Sequence, residues 1–159
     1  MFKNIDLLKD KDIVNSSVAS QKLLEGLDNL EQEVGKPAMY RFLILIYNKI
    51  KLFDTLVVDN NLAELLRKVT PKNTSLDLIR GNFVNLTIID QNIKDLNILE
   101  CNLLENLKID CPQLKSLNLG GCLALSNLTI TCTKILADEL IGKYPRIKFN
   151  FNLIYPQKK

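Results

Sequence analysis

Between Leu76 and Ala137 the apolar positions recur with two periods at once. Locally they alternate in L-x-[LI] triplets, which put successive side chains on opposite faces of a strand. Over longer range the triplets return every 20 or 21 residues: Leu76, Leu96 and Leu117 open successive units, and Leu86, Leu107 and Leu128 open their second halves. This pattern predicts two columns of parallel strands. Leu76/Leu78, Leu96/Ile98 and Leu117/Leu119 stack inward as one column, and Leu86/Ile88, Leu107/Ile109 and Leu128/Ile130 as the other. Successive turns should then lie about 4.7–4.9 Å apart. An internal period of this length is the mark of a solenoid.

The flanks follow different patterns. Leu23, Leu27, Leu30 and Val34 recur at helical spacing, and Gly35 with Pro37 ends that run. The next segment, PAMYRFLILIYNKIKLF, is long and apolar enough for a buried helix, the reading we favour over a strand; its β-branched and aromatic content suits either. Residues 1–54 thus read as an N-terminal helical cap, a hairpin covering the open apolar end of the ladder. Leu56 and Val58 lie 20 residues before Leu76 and Leu78, which makes 56–58 the expected first strand of the ladder. Residues 61–69, NLAELLRKV, then read as a helix.

Past the last clean unit, TKILADELIGKYP reads as a short helix with Ile135, Leu136, Leu140 and Ile141 apolar. The strictly alternating IKFNFNL reads as a half-buried strand. Phe149 and Phe151 fall 21 residues after Leu128 and Ile130 and so continue the second column. The expected fold class is α/β: one folded unit with a helical cap at 1–54, a parallel-strand solenoid of 20–21-residue units at 55–154 that ends in a helix and strand, and a basic tail at 155–159.

Composition narrows function mainly by exclusion. A hydrophobic fraction of 47% and a charged fraction of 25% are ordinary for a soluble globular chain. The net charge of +3 is spread out, so specific nucleic-acid binding is not expected. The charged start MFKNIDLLKDKD argues against an export leader, and Phe42–Tyr47 is too short to span a bilayer. A cytoplasmic setting with reduced thiols is expected, or a host cytosol for a secreted effector. The chain has no histidine, which removes the commonest general base and a common metal ligand. Nucleotide-binding, hydrolase and zinc-protease motifs are missing too. We therefore expect no catalytic residues, no cofactor and no metal.

The four cysteines keep the register of the repeat: Cys101 and Cys122 are 21 apart, as are Cys111 and Cys132, with Gly81 and Asp90 one unit earlier in the two series. Structural zinc sites usually bring two ligands within two to four residues, a spacing this chain does not offer. The cysteines read as small buried hydrophobes at corners, with a bridge between stacked turns as the alternative. Asn85, Asn106 and Asn127 each stand directly before a column leucine and are expected to satisfy backbone groups where a corner enters a strand.

The stretch LNILECNLLENLKIDCPQLKSLNLGGCLALSNLTITC, residues 96–132, resembles leucine-rich repeat proteins. It is most similar to the cysteine-containing repeats of F-box-type proteins, in which L-x-L-x-x-C and C-P-x-L-x-x-L phrases alternate; CPQLKSLNLGGC (111–122) matches closely. The units are shorter than usual for that kind, their second halves read as strand rather than helix, and the F-box itself is not seen. The resemblance implies a solenoid whose exposed strand positions bind proteins. By alternation, the outward positions of the first column include Asp77, Ile79, Asn97, Leu99 and Asn118, the candidate partner-binding residues. Those of the second include Thr87, Ile89, Lys108, Asp110, Thr129, Thr131, Lys148 and Asn150. The expected function is a non-catalytic protein–protein interaction module. The alternative is an adaptor or recognition subunit, ubiquitin-ligase-like or effector, that docks through its N-terminal helices.

Overall fold

The computed structural model describes residues 32, 35–67 and 74–155. Apart from Gln32, the first expected helix lies outside the described residues, as does the tail beyond Tyr155. Helix α1 (Lys36–Ile50) starts at Gly35, whose φ of 87° suits glycine, and has Pro37 in its first turn. Phe42, Leu43, Ile46 and Ile50 are buried on one face, so the helical reading of this segment holds. A short strand β1 (Thr55–Val58) leads directly into helix α2 (Asn60–Arg67). The Asp59 carboxylate caps α2 by accepting from the Leu62 N–H at 2.9 Å.

Six strands follow: β2 (Ser75–Ile79), β3 (Asn85–Ile89), β4 (Asp95–Leu99), β5 (Asn106–Asp110), β6 (Ser116–Asn118) and β7 (Asn127–Thr133). Helix α3 (Lys134–Lys143) and strand β8 (Lys148–Ile154) end the described chain. The strands form two all-parallel sheets, one in the order β1-β3-β5-β7-β8 and the other β2-β4-β6. From β2 to β7 the chain therefore alternates between the sheets. The result is a mixed α/β fold.

The register agrees with the sequence columns. Leu76, Leu96 and Leu117 are successive partners in the smaller sheet. In the larger one, Leu86, Leu107, Leu128 and Phe149 form one row and Ile88, Ile109, Ile130 and Phe151 the next. All of the leucines and isoleucines in these rows are buried, together with the corner residues Phe83, Ile93, Leu104, Leu114 and Leu125. Each buried side chain of this size contributes about 1.5–3 kcal/mol. Phe149 and Phe151 stack in parallel at 5.0 Å and remain partly exposed on the last strand.

One expectation is corrected. The 20-residue spacing from Leu56 to Leu76 placed 56–58 beside β2, but β1 pairs with β3, Leu56 against Leu86. The spacing is informative only where each unit contributes two strands, and α2 occupies the chain between β1 and β2. In α3 the buried residues are Leu136, Ala137 and Leu140, while Ile135 and Ile141 face outward. Leu136, Ala137 and Leu140 lie on the one stripe that faces the sheet, and Ile135 and Ile141 fall on either side of it. Among the described residues no helix is long and apolar enough to cross a membrane.

Candidate interaction surface

The strands β2, β4 and β6 bring the five candidate residues onto one face. Asp77, Asn97 and Asn118 form a row across it, and Ile79 and Leu99 form the neighbouring row. The polar row is partly self-satisfied: the Asn97 Nδ2 donates to Asp77 Oδ1 at 2.7 Å, and Asn118 Oδ1 accepts from the Gly120 N–H at 3.0 Å. Ile79 is 37% exposed, whereas Leu99 is partly buried.

Both edges of this sheet carry a tyrosine. On the β2 side the Tyr47 hydroxyl, from α1, donates to the Asp77 carbonyl at 2.9 Å and accepts from the Ile79 N–H at 2.8 Å. Burial is the main cause that raises its phenol above the usual range. On the β6 side the Tyr144 hydroxyl accepts from the Leu119 N–H at 2.8 Å. Edge strands are templates for a further strand unless their polar groups are occupied. The phenols occupy groups that an added strand would need, so this sheet offers its face rather than its edge.

The corner following this face is built the same way in three turns. Arg80, Glu100 and Gly121 occupy the left-handed region, with φ of 59°, 55° and 80°. At Gly121 a Cβ would come within 3.1 Å of Glu100 Cα, so glycine relieves both the backbone conformation and the contact. Arg80 and Glu100 form an ion pair at 2.6 Å. A pocket of about 600 Å³ is lined by Arg80, Gly81, Asn82, Glu100, Asn102 and Leu103.

Three leucines on this corner were not among the sequence candidates: Leu52, Leu103 and Leu123, exposed by 60%, 54% and 88%. The corner hydrogen bonds from Asn82 N–H to the Lys51 carbonyl and from Ser126 N–H to the Glu105 carbonyl show that these loops stack turn on turn. A signal was present in the repeat. Leu104 and Leu125 already fill the inward corner position, leaving Leu103 and Leu123 as leucines without a column.

The remaining singled-out residues divide by environment. Cys101, Cys111 and Cys132 are buried as expected, but Cys122 is partly exposed; all four are free. Among the described residues no group of three or more metal-ligating side chains converges. The asparagines do form a ladder, yet not the one expected. Asn127 Nδ2 donates to Asn106 Oδ1 and Asn106 Nδ2 to Asn85 Oδ1, each at 2.9 Å, and all three are exposed. Their partners are one another, with Asn85 Nδ2 also donating to Thr55 Oγ1 at 3.3 Å, rather than buried backbone groups. Asp90, which precedes Cys111 and Cys132 in the repeat, is fully buried and paired with Arg67 of α2 at 3.2 Å. It also accepts from the Asn92 N–H at 2.6 Å.

The outer face of the larger sheet is polar by contrast, with Thr87, Lys108, Thr129 and Asn150 as successive partners. Comparison with known proteins finds no matching family model, no similar curated protein and no similar solved structure.

Proposed function

We propose that this chain is a short solenoid of the leucine-rich repeat kind that serves as a non-catalytic protein–protein interaction module. It takes its partner on the face of β2, β4 and β6 and the corner beside it. The observation that carries this reading is Ile79 beside Leu99, next to the polar row of Asp77, Asn97 and Asn118, with the exposed Leu103 and Leu123 on the corner that follows. Solvated apolar area of this kind is the usual driving term for association, and a polar surround gives it specificity. The tyrosine-occupied edges favour a partner that packs side chains onto the surface over one that adds a strand. The absence of histidine from the sequence supports the non-catalytic reading.

The test is affinity capture with the tagged wild type and with the Ile79→Asp, Leu123→Asp double variant, each checked by thermal melting. Both positions are exposed, so the melt should be unchanged while a specific partner is lost. An identical set of captured proteins would refute the surface. A second reading, the adaptor docking through its N-terminal helices, is favoured by Ile44 and Leu45, exposed by 54% and 50% on α1. It predicts that Ile44→Asp removes a partner that Leu123→Asp retains.

A further inference from the structure

The two cysteine stacks are not equivalent. Cys111 and Cys132 are both enclosed, and burial pushes the Cys111 thiol up to about 12. In the other corner, Cys101 is enclosed but Cys122 reaches the surface. Their sulfurs sit on consecutive carbonyls of β4: Cys122 Sγ lies 3.1 Å from Ile98 O, and Cys101 Sγ 3.5 Å from Leu99 O. The Glu100 N–H donates to the Gly120 carbonyl at 2.8 Å, which holds the turns in register up to the cysteines. Parallel neighbours lie about 4.7–4.9 Å apart, inside the Cα separation of about 4.4–6.8 Å that a disulfide spans.

We propose that Cys101 and Cys122 form a redox-active dithiol that takes a low-molecular-weight disulfide as oxidant and closes into a bond between adjacent turns. The electrostatics support this geometry. Cys101 is lowered to about 7, first by the hydrogen bond from the Cys122 thiol and then by the backbone N–H groups of Gly81 and Arg80 and the Lys51 charge, against the opposing effect of burial. Cys122 is raised, because it holds the proton that the pair shares. Cys101, the more acidic of the two, is the base that takes the Cys122 proton when Cys122, the less buried residue, attacks.

The chemistry balances without any other reagent. The Cys122 thiolate attacks one sulfur of RSSR, forming Cys122–S–SR and releasing RS⁻, which takes up the Cys101 proton. The Cys101 thiolate then attacks the Cys122 sulfur, the bond to the second RS breaks, and that thiolate is protonated from water. Two electrons pass from the cysteines to the small disulfide. The net change is two protein thiols and RSSR converted to one protein disulfide and two RSH, one proton having already left the dithiol to solvent and being restored at the end.

The test uses the native folded chain treated with oxidised glutathione, then denatured, alkylated and weighed as intact protein and as mapped peptides. The expected product has lost two hydrogens, keeps two alkylatable thiols, and carries its link between Cys101 and Cys122. Cys122→Ser should abolish the link, and Cys101→Ser should stop the reaction at a glutathione adduct on Cys122. The proposal is overturned if the folded wild type keeps four alkylatable thiols under conditions that oxidise dithiothreitol. A link that involves Cys111 or Cys132 overturns it equally.

Discussion

Replacing Asp90 with cysteine copies the residue found one and two turns later, at Cys111 and Cys132, and a reading confined to the repeat would predict a neutral or favourable change. The structure predicts the opposite. The Asp90 side chain is 1% exposed and its Arg67 partner 11%, with 3.2 Å between the charged atoms. Removing one member of a buried ion pair costs about 3–5 kcal/mol, mostly through the charge left behind. The residual exposure of Arg67 lets water reach it, so the lower end, about 3 kcal/mol, is expected. For a chain of this size that is a fall in Tm of about 6–12 °C.

Urea unfolding followed by circular dichroism gives the free energy directly, with an unchanged slope confirming that only stability moved. The second half of the experiment is Arg67→Leu combined with Asp90→Cys. Exchanging both charges for apolar groups is often neutral or stabilising, so the double variant should recover most of the loss. If Asp90→Cys lies within about 0.5 kcal/mol of wild type, or the double variant equals the sum of the singles, the pair is not the tie between α2 and the ladder.

Three further outcomes follow from neighbouring parts of the fold. Gly81→Cys also copies the next turn, yet a Cβ at Gly81 would fall 2.1 Å from the buried Phe83 ring; thermal melts should show a loss of about 1–3 kcal/mol or more, and an unchanged melt would remove Phe83 as the corner filler. Asn106→Leu breaks the exposed ladder without stranding a buried group, so its cost should stay below about 1 kcal/mol; a loss twice that size would mean its partners are buried. Stability should also fall on the alkaline side. Cys111 and Tyr47 bind their protons more tightly when folded, so their contributions are complete below the ordinary values of 9.0 and 10.0 and are lost as the pH rises through the folded ones, about 12 for Cys111. Cys101, lowered to about 7, acts in the opposite sense between about 7 and 9. Chemical denaturation across this range should show a midpoint that declines above pH 9 and declines less in Cys111→Ala; a flat profile contradicts the assignment.

Much of the candidate face was legible because strand alternation is local. Once Leu76 and Leu78 point inward, Asp77 and Ile79 must point outward, and the equal spacing carries Asn97, Leu99 and Asn118 to the same side. The adjoining corner was less legible. Turn residues obey no period of two or 3.6, so nothing local distinguished exposed Leu103 from buried Leu104. The asparagine series showed its register in the sequence but not its partners, since the same spacing suits bonds to the backbone or along the ladder.

Alternation and spacing along the chain were enough to give the two inward columns, the 20–21-residue advance and the continuation through Phe149 and Phe151. Each follows from side chains that alternate on a strand and find their like one turn away. The pairing of β1 with β3 came from tertiary structure, because a triplet such as LVV fits either column and the free edge of β2 is held by Tyr47 of α1. Tertiary structure also made chemically unlike groups of cysteines that look alike in the repeat. Burial and the hydrogen bonds around a thiol depend on what the neighbouring turns bring beside it, and spacing along the chain carries no record of that.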